Sequence, residues 1–330
     1  MGGDAVKLAL SLTLLTALLA LASLMLGYAP LPPKAVLGGL LGAGDPLHVM
    51  VMQEIRLPRT ALAVLVGAAL GLSGAAMQGY LRNPLAEPGL IGVSGSAALG
   101  AVIALQTGLA AAFALALPLT ALLFALGAVG LILLLAGPRG GSLTLILAGI
   151  AVSALAGALT SLALNLSSNP YATFEIVFWM MGSLADRSLS HLALAAPLIA
   201  LGGTTLLTLG RGLDALTLGE DGAQALGISM TSLRLRLLFG TAAAGGAAPA
   251  VAGAVGFVGL VVPHLLRPLC GARPSRLLWA SALGGAAMLL TADIAVRLVL
   301  PERDLKLGVV MALIGAPLFL HLIYKTRRAG

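Results

Sequence analysis

Apolar runs long enough to cross a bilayer follow one another along this chain, with only short polar breaks between them. That alternation leaves few architectures open, because a helix crossing hydrocarbon needs about 20 mostly apolar residues. Such runs are read at residues 6–26, 60–80, 90–106, 110–136, 143–166, 189–210, 277–299 and 307–324. Residues 237–269 are longer than one span requires, dense in glycine and interrupted by Pro249 and Pro263, so they divide near 253–256 into an ordinary helix and a short one. Ten crossings result, although periodicity alone supports nine or ten. Only 9% of the 330 residues are charged, against about 25% in soluble domains. An all-α polytopic membrane protein is expected. The 43 glycines suit close helix packing, and the 4% aromatic content argues against a β-barrel with aromatic girdles.

The breaks between spans carry the information. Residues 29–59 form an extramembrane excursion that ends in two arginines, Arg56 and Arg59. In the next span Gly67, Gly71, Ala75 and Gly79 recur every four positions and offer one face to a closely packed helix. Pro84 and Pro88 break the chain after that span, and residues 137–141 read as a tight turn. Residues 167–188, with Trp179, Met180 and Met181, read as an interfacial helix. The tryptophan and methionines suit packing better than an outer mouth for a flat ligand.

Residues 211–236 form the one long interior segment that mixes polar residues with charges of both signs. Thr217 or Gly219 is expected to cap a short helix over 220–226, and Gly227 suits the left-handed residue that ends one. A solvated loop and a handle for a partner both fit. Twelve lysines and arginines fall in the loops on this segment's side and seven on the other, so it and both termini are expected to face the cytoplasm.

No chemistry of its own is evident. No glycine is followed by lysine, so the chain has no phosphate-binding loop, and any ATP would be bound by another polypeptide. The four histidines lie far apart without metal-ligand spacing, and the lone Cys270 excludes an internal disulfide and a cysteine metal site. Basic residues sit in short loops, so the +7 charge gives no nucleic-acid signal. Gly71–Leu72–Ser73–Gly74 matches the pattern of an intramembrane serine protease, with His264 as a conceivable base, but helix packing explains the same residues. An ion-coupled carrier would show ionisable residues at the bilayer centre, and the one carboxylate inside a span, Asp293, lies near its end.

Several blocks together resemble the permease subunit of type II ABC importers, the family that takes up iron–siderophore complexes, haem and cobalamin. They are RLPRT at 56–60, GAALGLSGAAMQGYLRNPLAEPGLIGVSGSAALG at 67–100, FWMMGSLADRS at 178–188, LGEDGAQALGI at 218–228, GAVGFVGLVVPHLLRPLCG at 253–271, ADIAVRL at 292–298 and LGVVMALIGAPLFLHLI at 307–323. The resemblance implies a single permease domain over 1–330, ten helices, a short periplasmic helix and a short cytoplasmic coupling helix. It also implies a homodimer in the bacterial inner membrane, two separate ATP-binding subunits that hold the ATP and Mg, and a periplasmic substrate-binding protein. No cofactor is then expected on this chain.

By the same resemblance, residues 218–228 couple to the ATPase, with Leu218, Gly219, Glu220, Ala223, Leu226 and Gly227 as contacts. Arg56, Arg59 and Arg297 match positions that dock the binding protein, while an i, i+4 pair with Asp293 is the competing role for Arg297. Asn83, Leu85, Ser142, Leu143 and Thr144 match a cytoplasmic gate. No residue selects among siderophore complexes, haem and cobalamin. Iron chelates rank first as the broader class, with a cobalamin importer as the alternative.

Overall fold

The computed structural model describes residues 3–27, 30–113, 115–137, 141–167, 170–299 and 305–329. The described residues are almost entirely helical and include no strand. In chain order the helices are α1 (Gly3–Met25), α2 (Pro33–Leu40), α3 (Pro46–Leu81), α4 (Val93–Gln106), α5 (Leu109–Ala112), α6 (Ala116–Ala136), α7 (Ser142–Asn165), α8 (Pro170–Met180), α9 (Leu189–Leu207), α10 (Gly210–Leu216), α11 (Glu220–Ala225), α12 (Met230–Ala252), α13 (Val258–Leu266), α14 (Pro274–Val299) and α15 (Leu307–Ala329). Seven of them, α1, α3, α6, α7, α9, α12 and α14, are long and apolar enough to cross a membrane. With the short α4 and α13, and with α15, whose apolar part is Leu307–His321, they make up the ten apolar segments expected from the sequence. The expected turn at 137–141 and the loop arginine Arg303 fall partly or wholly outside the described residues.

Two boundaries differ from the sequence reading. The excursion at 29–59 is helical from Pro46 onward and runs unbroken into the span. Pro58 is tolerated because the turn before it, Val51–Arg56, is a π-helix in which Leu57 N–H reaches back to the Met52 carbonyl. The ladder is therefore already shifted where the proline nitrogen has no hydrogen to give. The span placed at 110–136 is two helices, α5 and α6, with extended backbone at Phe113.

Helices α4 and α13 are too short to cross. Fourteen residues rise only about 21 Å at 1.5 Å per residue, less than the roughly 30 Å of hydrocarbon. Each follows a broken segment packed inside the protein, where its free backbone groups find partners. Residues 82–92 enter α4 through a 3-10 turn at Pro88–Ile91 that lies against α7. Residues 253–257 enter α13 with Gly253 and Phe257 at positive φ.

The centre of the molecule is the α3–α14 pair, the most extensive contact between any two elements. At Gly67 and Gly71 of α3, the place a Cβ would take is filled by the carbonyl oxygens of Gly285 and Ser281 of α14. The first half of the ridge read from the sequence is thus a backbone-to-backbone seam, whereas Gly79 faces the Leu213 side chain of α10. A second face of the same helix was not evident from the spacing. Gly74 abuts the Gly259 backbone of α13, and Gln78 donates from Nε2 to the carbonyls of Gly259 (3.2 Å) and Leu260 (3.3 Å). Helix α1 lies along α14, and Thr16 donates to the Leu283 carbonyl at 3.2 Å.

Substituting Gly71→Leu forces the two backbones apart. The expected loss of stability exceeds the roughly 1–3 kcal/mol of ordinary overpacking. Thermal melting of the detergent-solubilised chain tests this, and an unchanged midpoint would contradict the seam.

Candidate functional site

Helices α9 and α12 are joined outside the bundle by α10 and α11, and this is where the mixed-charge segment lies. Helix α11 matches the expected short helix, but Gly219 caps it while the Thr217 hydroxyl turns back to the Asp214 carbonyl at 2.7 Å. Gly219 has φ +96 and ψ 167, a conformation that is essentially glycine's alone. At the other end Gly227 takes φ +80, and the N–H of Ile228 bonds the Ala223 carbonyl at 3.0 Å, closing the helix as expected of a C-terminal glycine.

The surface of α11 is selective. Leu218 is 71% exposed and Leu226 62%, so two large apolar side chains stand in solvent beside Glu220 and Asp221. Ala223, expected as a contact, is fully buried. Its methyl seats α11 on its own chain and offers nothing to a partner in this conformation.

Behind α11, the short helix α10 ties the segment to the bundle, a link that sequence reading missed. The Asp214 carboxylate accepts from the backbone N–H (2.8 Å) and the hydroxyl (2.6 Å) of Ser275, in the first turn of α14. An acidic group at a helix N-terminus satisfies free donors and complements the dipole. Nearby, Arg267 donates from Nη2 to Gln78 Oε1 at 2.6 Å, joining the end of α13 to α3.

At the opposite end of α14 the three expected docking arginines converge, and each is largely buried. Asp293 receives Arg59 Nη2 at 2.8 Å and Arg297 Nη2 at 3.0 Å. The i, i+4 pair weighed for Arg297 is therefore present. Arg297 Nη1 also donates to the carbonyls of Ser23 (2.9 Å) and Leu26 (2.7 Å), and Arg56 Nη1 donates to those of Leu24 (2.8 Å) and Met25 (2.9 Å). Two of the three guanidinium groups thus cap the C-terminal carbonyls of α1. Arg59, with 11% of its side chain exposed, is the most open of them.

The chain as a whole matches the model of the FecCD transport family over residues 14–325. It belongs to that family. The Fe(3+) dicitrate transport system permease protein FecD of Escherichia coli is 39% identical over 323 residues, covering 98% of this chain and 99% of that one. The vitamin B12 import system permease protein BtuC of Salmonella paratyphi A is 40% identical over 328 residues, covering 98% and 96%. A solved metal-chelate type ABC transporter in an inward-facing conformation superposes with a TM-score of 0.86 at 36% identity, covering 97% of this chain and 99% of that one.

Within this FecCD chain the protease reading has no site. Ser73 is fully buried on α3, its hydroxyl has no hydrogen-bond partner, and no base activates it. The expected gate residues flank two breaks. Asn83 Oδ1 accepts from Leu85 N–H at 2.9 Å, and Leu85, Leu143 and Thr144 are exposed. The side chain of Ser142 lies outside the described residues.

Replacing Asp293 by Asn leaves two buried guanidinium groups without their carboxylate. The expected cost is about 3–5 kcal/mol, the range for breaking a buried pair from one side. It is read as a large drop in melting temperature that the double variant with Arg297→Met partly recovers. An Asp293→Asn chain that melts like the parent would show that the cluster does not hold α1 in place.

Proposed function

We infer that this chain is the membrane-spanning subunit of an ATP-driven importer that carries iron chelates, haem or cobalamin inward. Two copies form the path at their shared interface, in the inner membrane with termini in the cytoplasm. Separate ATP-binding subunits supply the energy, and an external binding protein delivers the cargo. The observation that carries this reading is α11. It is a short helix capped by glycine at both ends, presenting Leu218, Asp221 and Leu226 outward with Glu220 half-buried beside them, while Asp214 joins its base to α14. Closure of the ATPase pair pushes on this projection and moves α14 with it. Of the docking arginines, Arg59 is our first choice for meeting a carboxylate of the binding protein, because Arg56 and Arg297 are committed to α1.

The gate reading is part of the same proposal. Asn83 and Leu85 on one break and Leu143 and Thr144 on α7 form the inner constriction, and all four are exposed on the surface of this chain. Alternating access then needs only the two breaks to move. A cobalamin-specific importer is the second reading; the likeness to BtuC favours it as much as the likeness to FecD favours a ferric chelate.

Reconstitution of the chain with its ATPase and binding protein, assayed with ferric siderophores, haem and cobalamin, tests the function. ATP-dependent uptake of one cargo, abolished when the ATPase is omitted, is the expected result. Uptake that continues without ATPase would defeat the proposal. In the same vesicles Glu220→Lys combined with Leu226→Glu should lower uptake at least tenfold while ATP hydrolysis persists. Uptake at the parental rate would remove α11 from the coupling role.

A further inference from the structure

Helix α13 carries a proline in its interior, at Pro263. Proline has no N–H, so the carbonyl four residues back, that of Gly259, gets no bond from the residue that would normally supply one. Gln78 of α3 stands in for it. Its Nε2 donates to the Gly259 carbonyl at 3.2 Å and to that of Leu260 at 3.3 Å, and the residue is only 1% exposed. The amide is oriented from its other end as well. Arg267 can only donate, and its Nη2 takes Gln78 Oε1 at 2.6 Å, which leaves the amide nitrogen for the two carbonyls.

The same residue closes α3. Its backbone carbonyl accepts from Arg82 N–H and, at 3.2 Å, from Asn83 N–H, the bonds that end the helix before the break at 82–92. The two breaks also meet. The place a Cβ of Gly259 would take lies 2.9 Å from Pro88 Cδ and 2.9 Å from the Leu70 carbonyl, and Gly74 of α3 lets the Gly259 backbone come this close. Gln78 thus serves the end of α3 with its backbone and the gap in α13 with its side chain, while Gly259 touches the turn that enters α4.

We propose that Gln78 is a positioning residue for transport: by supplying the hydrogen bond that Pro263 denies Gly259, it fastens α13 to α3, so that movement is confined to the breaks at 82–92 and 253–257. A helix without the proline would satisfy its own carbonyl and need nothing from α3. The proposal deepens the importer reading and rests on it for its consequence in transport.

Two variants separate fastening from simple stability. Gln78→Met removes the donor at similar length and orphans the Gly259 carbonyl, so the melting midpoint falls. Adding Pro263→Ala returns an N–H to that carbonyl within α13, so the midpoint recovers while the link to α3 stays cut. In a Cys270→Ala chain, nitroxides at Ile55→Cys on α3 and Leu265→Cys on α13, both exposed positions, report the spacing of the two helices by pulsed EPR. The parent and Pro263→Ala alone are expected to give one narrow distance population, and the double variant a broadened or shifted one. This measurement needs neither ATPase nor cargo, so it decides the fastening even if the importer reading fails. In vesicles with the ATPase and binding protein, the probe is whichever of ferric siderophore, haem or cobalamin the parent imports. Uptake per ATP hydrolysed should fall about fivefold or more in the double variant. A double variant that melts no higher than Gln78→Met, or that keeps the parental distance population, would overturn the proposal. So would an uptake-to-hydrolysis ratio equal to that of Pro263→Ala alone, because Gln78 would then do no more than satisfy a carbonyl.

Discussion

The frame of this molecule depends on the two positions, Gly67 and Gly71, at which no side chain separates α3 from α14. Apolar helices in a bilayer gain nothing by hiding from lipid, which is as apolar as they are. Association must come from contact, and the closest contact is backbone on backbone. Gly67 and Gly71 set against Gly285 and Ser281 provide it. With backbone against backbone at these positions, the two helices have little freedom to slide, and they serve as the frame on which α1, α10 and α13 are hung.

Both ends of α14 use that frame through a carboxylate. Asp214 of α10 binds its first turn, and its own Asp293 gathers Arg59 and Arg297 at the far end. Such groups are costly to bury and are retained where geometry satisfies them fully. The first connects the protruding α11 to the bundle. The second fastens α1. A push on α11 therefore reaches a body that extends across the whole thickness of the protein.

Much of this was legible in the sequence. Ten apolar segments, the division of 237–269, the short helix at 220–226 with its glycine stop, and the glycine ridge at 67–79 all follow from hydropathy and local backbone preference. What was illegible depended on pairings far apart in the chain. Nothing near Asp214 announces Ser275, and Gly74 and Gln78 read as ordinary span residues until α13 lies against them. The arginines show the limit most clearly. Arg56 and Arg59 sit in a segment that looks exposed by composition, yet α3 continues through it: Arg56 turns inward to carbonyls contributed by α1, and Arg59 to the Asp293 carboxylate of α14. Ala223 errs in the same direction: the spacing puts it on α11 but cannot say which face of so short a helix is covered.

The arginine cluster also fixes where motion can occur. Arg59 and Arg297 share the Asp293 carboxylate in a largely buried place, and Arg56 is buried near them at the end of α1. The carbonyls of Ser23, Leu24, Met25 and Leu26 accept from Arg297 and Arg56, and cations suit this place because the end of α1 carries the negative pole of its dipole. Separating α1 from α3 and α14 would strand both the charges and the carbonyls, so these three helices move together. The boundaries left to yield are those where the chain is already broken, at 82–92 and 253–257. There prolines and positive-φ residues interrupt the ladder, and the short helices α4 and α13 begin partway through the bundle. The same economy of structure that shortens those helices places a broken backbone at Asn83 and Leu85, which we propose as gate residues, and keeps it away from the α3–α14 seam.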